Sequence, residues 1–134
     1  MAEPMQVEVV SADRVVWSGK SSNIIAKTVE GEIGILPGHE PMLGVLVPSA
    51  VVIFCEDKPT REIIAVEGGF ISVSQGRVSI LSEYARMADE ITIAEAEKEL
   101  AEAQRVLDSG DGGDEDRKHF MRAEAQLRAA QKAQ

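Results

Sequence analysis

Two histidines, His39 and His119, and one cysteine, Cys55, are the side chains best suited to act as general base, metal ligand or nucleophile. Neither histidine has the Cys, His or carboxylate spacing of a structural zinc site. His39 lies in Pro37-Gly38-His39-Glu40-Pro41, where a hydrogen bond that orders the loop is the expected role, with a partner contact as the alternative. Cys55 closes the apolar run Val51-Val52-Ile53-Phe54-Cys55 and reads as a small buried hydrophobe. No serine stands in a G-x-S-x-G elbow, and no lysine follows a phosphate-binding loop. Gly68-Gly69 resembles an anion nest, but Glu67 before it repels phosphate and no helical pattern follows. That pair is expected to form a tight bend or bulge between strands. Glu95, Glu97, Glu99 and Glu102 could supply paired carboxylates, but acid-base work needs a cleft that their helical spacing does not provide. They form a solvated or partner-docking face. Nucleophile, base and orienter nowhere arrive together, so the residues argue against an enzyme.

The elements that hold these residues fall into two halves within 134 residues. The first half is rich in β-formers broken by turns. Met5 to Val10 alternates in polarity, Val15-Val16-Trp17 restarts a strand, and Ser21 to Val29 forms another. Further strands are expected at Ile33 to Leu36, Leu43 to Val47, Ser49 to Cys55, Arg61 to Val66, Phe70 to Ser74 and Arg77 to Leu81. Glu56-Asp57-Lys58-Pro59-Thr60 makes a polar turn, and Ser74-Gln75-Gly76-Arg77 a tight hairpin in which Gly76 takes positive φ. The pattern argues for an antiparallel sandwich or barrel-like domain.

After Glu83 the period becomes helical. Thr92 and Glu95 match a capping box, and Ile93, Ala96, Leu100, Ala103 and Leu107 define one apolar face. Glycines around 110–113 end that helix, and Asp114 starts a second whose stripe is Phe120, Ala123, Leu127 and Ala130. Arg117, Lys118, Arg122, Arg128 and Lys132 populate its other faces, and Arg122, Arg128 and Lys132 are candidates for docking on an acidic partner. The alanine-rich seam is shallow, so the hairpin is expected to be less protected from hydrogen exchange than the strands.

Composition narrows the partners. The chain carries 23 acidic and 14 basic residues, a net charge of −9, which disfavours nucleic acid and anionic lipid. Trp17 and Tyr84 lack the basic groove of a base-stacking platform and are expected at the core or a domain edge. The N-terminus has no secretory pattern and no window reaches 18 uncharged apolar residues, so the chain reads as intracellular, with any membrane association made through partners.

The run Gly31-Glu32-Ile33-Gly34-Ile35-Leu36-Pro37-Gly38-His39-Glu40-Pro41 resembles the segment G-x-[ILM]-G-[IV]-L-P-x-H-x-P of the epsilon subunit family of F-type, proton-translocating ATP synthases. Val66-Glu67-Gly68-Gly69-Phe70 resembles the family's second segment, and the terminal helix pair completes a likeness over essentially the whole chain. The resemblance implies a β-sandwich of about ten strands at residues 1–83 that attaches to the rotor, followed by a helical hairpin at 84–134 with a mobile, regulatory role. It implies a noncatalytic central-stalk subunit that couples proton translocation to ATP synthesis and restrains ATP hydrolysis. The implied partners are the gamma subunit and the ring of c subunits, with transient contact to the alpha/beta catalytic ring, on the cytoplasmic face of the bacterial membrane. Gly31, Gly34, Pro37, His39, Pro41, Gly68 and Gly69 become structural or rotor-contact residues.

Some family members bind ATP through an I/L-D-x-x-R-A segment. The matching positions here are Ile91-Thr92-Ile93-Ala94-Glu95-Ala96, where Glu95 repels the phosphates that an arginine would attract, so no cofactor is expected. Residues 83–134 hold 13 acids and 8 bases, so any brake on hydrolysis is expected to be weak or to use only the Arg122 to Lys132 ridge. The competing reading is an acidic protein-protein adaptor outside the ATP synthase, which co-purification with gamma would distinguish.

Overall fold

The computed structural model describes residues 3–56, 60–110 and 113–133. Asp57, Lys58 and Pro59 of the expected polar turn, and Asp111 and Gly112 of the Gly-rich loop, lie outside the described residues. Among the described residues, nine strands run in chain order as β1 (Met5–Val10), β2 (Val15–Thr28), β3 (Gly31–Ile35), β4 (Met42–Leu46), β5 (Ser49–Cys55), β6 (Arg61–Val66), β7 (Gly69–Ser74), β8 (Arg77–Leu81) and β9 (Ala85–Met87). A single 3-10 turn at Ala88–Glu90 leads to α1 (Ile93–Asp108) and α2 (Asp114–Lys132).

Hydrogen bonding orders the strands β1-β8-β7-β4-β2-β5-β6-β9, with β3 on β2 and β1 also on β2. The 14-residue β2 makes this closure possible: its first half pairs with β1 and its second with β3 and β5. The two strands expected at Val15–Trp17 and Ser21–Val29 are therefore one, with a register shift between Ser21 and Asn23 in place of a break. Gly19 does not interrupt it; a Cβ there would stand 2.8 Å from the Trp17 ring, so the glycine gives that ring room. The expectation of purely antiparallel pairing is corrected at one place, because β1 runs parallel to β8.

Between the layers lies a dry core that includes Met5, Val7, Ile24, Ile53, Ile64, Ile71 and Ile80, all essentially inaccessible. Trp17 packs partly buried against it. A second cluster lies outside the sandwich, where Val52 and Ile63 with Ala65 meet Ala88, Ile91, Ala96, Ala129 and Ala130. It is the second helix that lies on β5 and β6, while α1 packs chiefly on α2. Strands β5 and β6 are thus buried on both faces, which explains their unbroken apolar runs. Cys55 departs from expectation: at the last position of β5 it is only half-buried, opposite Ser21.

Local chemistry ends the elements. Gln75 at φ 47° and Gly76 at φ 79° make the two-residue turn between Ser74 and Arg77, so Gln75 shares the positive-φ conformation expected of Gly76 alone. Thr92 Oγ1 accepts a hydrogen bond from the Glu95 amide at 3.1 Å and supplies the hydroxyl half of the capping box. At α2 the closing group is Asp116, which accepts from the Gly113 amide at 3.0 Å; Asp114 is simply the first helical residue. Thr92→Ala is expected to cost the first turn of α1 about 1 kcal/mol, seen as faster amide exchange there with the strands unaffected.

Candidate functional site

The signature segment spans three kinds of backbone. Gly31, at φ 123°, opens β3 after the turn at Val29 and Glu30, and Thr28 Oγ1 donates to the Gly31 carbonyl at 2.9 Å while accepting from the Glu30 amide at 3.1 Å. Gly34 lies within β3 with open space where a Cβ would stand. The loop after Ile35 turns at Gly38, φ 88°, with the His39 amide donating to Leu36 at 3.0 Å. His39 Nδ1 lies 2.7 Å from the Glu40 carbonyl. A carbonyl only accepts, so Nδ1 carries the proton, and the exposed imidazole orders its own loop as its setting between prolines suggested.

The candidate contact residues divide between the two ends of β3. Thr28 pairs with both Gly31 and Leu46, and Leu46 pairs with Gly69, so Gly31 and the Gly68-Gly69 pair share one end of the sandwich. Pro37, His39 and Pro41 lie toward the other, between the end of β3 and the start of β4. Gly68 and Gly69 have φ values of 132° and 113°, and a Cβ on Gly69 would stand 1.9 Å from the Leu81 carbonyl oxygen. The pair is a tight strand connection, as its sequence context implied.

Beside that end lies a feature that sequence reasoning did not single out. Val10 pairs with Leu81, Leu81 with Phe70 and Phe70 with Val45, a continuous cross-strand row over β1, β8, β7 and β4. Phe70 and Leu81 are half exposed and neighbouring Leu43 is 72% exposed. Val29, also exposed, extends the row through its amide, which donates to the Val45 carbonyl at 2.9 Å. The row borders an apolar groove of about 550 Å³, walled by Val10, Pro48, Phe70 and Leu81 on the sandwich and by Lys118 and Met121 on α2. A sequence signal existed: in Met42-Leu43-Gly44-Val45-Leu46, Gly44 faces inward beside Ile71 and Met42, which turns Leu43 and Val45 to the outside.

The candidate docking residues of α2 do not form one ridge. Arg122 turns to the sandwich: Nη2 donates to Glu67 Oε2 at 3.0 Å and its guanidinium stacks 4.5 Å from the centre of the Tyr84 ring. The Gln126 amide donates to Tyr84 Oη at 2.9 Å, and Arg61 Nη2 donates to the Lys132 carbonyl at 3.0 Å, closing the C-terminal turn. In this docked arrangement Arg122 is thus turned away from Arg128 and Lys132, which are exposed. The physical reason is that Glu67 and Tyr84 provide a carboxylate and a ring face within its reach.

A family model described as the ATP synthase, Delta/Epsilon chain, beta-sandwich domain matches residues 4–88. The ATP synthase epsilon chain of Corynebacterium diphtheriae is 46% identical over 126 residues, covering 94% of this chain and 93% of that one. The chain belongs to the ATP synthase epsilon family. The Streptomyces avermitilis epsilon chain is 44% identical over 129 residues, covering 96% of this chain and 97% of its own length. The fold also matches a chain of the Euglena gracilis mitochondrial ATP synthase, described as OSCP/F1/c-ring in rotational state 1, with a TM-score of 0.72 at 24% identity over 97% of this chain and 80% of that one. A chain of the Tetrahymena thermophila mitochondrial ATP synthase central stalk and c-ring matches with a TM-score of 0.58 at 20% identity, over 98% and 97% of the two chains. As an epsilon chain, the protein is a noncatalytic subunit of a proton-transporting ATP synthase. No helix among the described residues is long and apolar enough to cross a membrane, consistent with a peripheral place in a membrane-associated complex.

Proposed function

We propose that this epsilon subunit joins the central rotor through its β-sandwich, contacting gamma and the c-ring on the cytoplasmic face of the bacterial membrane, and that the helical hairpin of α1 and α2 regulates the direction of turnover. The observation that carries this is the unequal treatment of the two outer sheet faces. The β5-β6 face is covered by α2, while the face of β1, β8, β7 and β4 leaves Leu81, Phe70 and Val45 of the row exposed. An exposed apolar row beside tight glycine turns suits a permanent protein contact. The net charge of −9 disfavours direct contact with anionic lipid, so partners hold the subunit at the membrane. Gly31, Gly68 and Gly69 shape the apolar end, and Gly34, Pro37, His39 and Pro41 shape the opposite one.

The test places charge in the row. A Phe70→Asp/Leu81→Asp double substitution is expected to leave the fold intact, because both side chains are half exposed, and to reduce recovery of the subunit with gamma by at least about tenfold. Undiminished recovery overturns the placement of the rotor contact.

Nucleotide is not needed for this role. Thr92 is spent on the helix cap and Glu95 faces solvent where a phosphate-binding arginine would be required. Titration of the isolated subunit with ATP is expected to give no saturable change in the micromolar range; saturable binding contradicts this.

A further inference from the structure

The regulatory reading requires the hairpin to leave the sandwich, and the molecule concentrates what would resist that step on one helix. The apolar seam beneath α2 is built largely of alanines, with Ala129 and Ala130 against Val52, Ile63 and Ala65. Such a seam gives little area per residue and weak directional preference. The directional contacts lie around Arg122 and at the C-terminal turn.

Glu67 is 13% exposed and Arg122 34% exposed, so their ion pair is partly withdrawn from water and less screened by salt than an exposed pair. The stacking on Tyr84 adds a cation-π contact to the same guanidinium. Tyr84 is in turn fixed by Gln126, four residues after Arg122 and on the same helix face. The Glu67 amide donates to the Tyr84 carbonyl at 3.0 Å, so both receptors of Arg122 belong to one hydrogen-bonded piece of the sandwich. The contact is nevertheless incomplete. Arg122 Nε is buried with no hydrogen-bond partner among the described residues, whereas a fork-shaped pair would use it. An unsatisfied buried donor makes the closed arrangement less favourable than its contacts alone suggest.

We propose that Glu67, Tyr84, Arg122 and Gln126 form a latch that holds the hairpin on the sandwich and whose opening releases it. The incomplete pairing poises the latch: it defines one docked position for α2 while leaving the cost of release small enough for a switch. Arg122 thus acts in the docked state as a clasp. In the released state its charge becomes available beside those of the exposed Arg128 and Lys132.

This inference rests on the regulatory reading, but its test uses the isolated full-length subunit and amide hydrogen exchange. Glu67→Gln keeps the size of the side chain, and Arg122→Met keeps its packing stem. Each is expected to speed exchange across 114–130 about tenfold while the strands keep their protection. The double variant is expected to be no faster than the faster single one, because both remove the same contact. Exchange unchanged in both single variants, additive effects in the double, or equal loss of protection in β5 and β6 each overturns the latch. Wild-type α2 amides that exchange only as slowly as the core strands would instead contradict the mobile-hairpin reading itself.

Discussion

Gly69→Ala is expected to lower stability by roughly 3 kcal/mol or more, shifting the thermal midpoint down by roughly 10–20 °C. The new Cβ would stand 1.9 Å from the Leu81 carbonyl oxygen and 2.9 Å from both the Leu81 carbonyl carbon and Ser82 Cα. All three are backbone atoms, so no rotamer change relieves the overlap. The φ of 113° adds a conformation that alanine avoids. Relief requires β7 and β8 to separate at the end where the Phe70-Leu81 pair forms the exposed row. Gly34→Ala is the matched control. Its Cβ meets nothing within 4 Å and it lacks the positive φ of Gly31, so stability should change by less than about 0.5 kcal/mol. Thermal unfolding of the two variants side by side checks both statements; a Gly69→Ala protein as stable as the parent contradicts the geometry.

Removal of the hairpin after Glu90 is expected to raise ATP hydrolysis by the assembled complex about fivefold, near the lower end of typical coupling between sites. The low figure follows from charge, since residues 91–134 carry 10 acids against 7 bases and offer few cations to an acidic partner. The cut belongs after Glu90 because β9 at Ala85–Met87 pairs with β6, and the Tyr84 carbonyl accepts the Glu67 amide. A shorter fragment would lose sheet and hinge together, confusing loss of a brake with loss of attachment. The shortened subunit should still fold, since its main core contains no residue of α1 or α2. Equal hydrolysis rates with and without the hairpin refute the braking role.

The strands and helices were legible wherever one face was wet and the other dry. Met5–Val10 and Arg77–Leu81 alternate visibly, and Thr92 announced its helix through its hydroxyl. The double burial of β5 and β6 left a trace in the runs Val51 to Phe54 and Ile63 to Val66, although the sequence does not say that α2 is the cover. Other features depend on long-range placement. The parallel pairing of β1 with β8 joins segments about 70 residues apart, which local periodicity cannot register. The same holds for the apolar row, whose four members lie on four strands and align only through the sheet. Helix position alone places Arg122 off the apolar stripe, whereas Glu67 and Tyr84 arrive beside it from distant sequence. The signature segment marks the family, while the contacts that distinguish the two sheet faces emerge only in the folded chain.

We propose that the exposed apolar row seats this subunit on its rotor partner. A photo-crosslinking residue at position 70, introduced into the subunit within its intact membrane complex, tests this most directly. The expected product is an adduct with gamma, formed in high yield and absent when the crosslinker replaces an interior residue such as Ile53. Adducts only with proteins outside the ATP synthase would overturn this placement and favour an adaptor role.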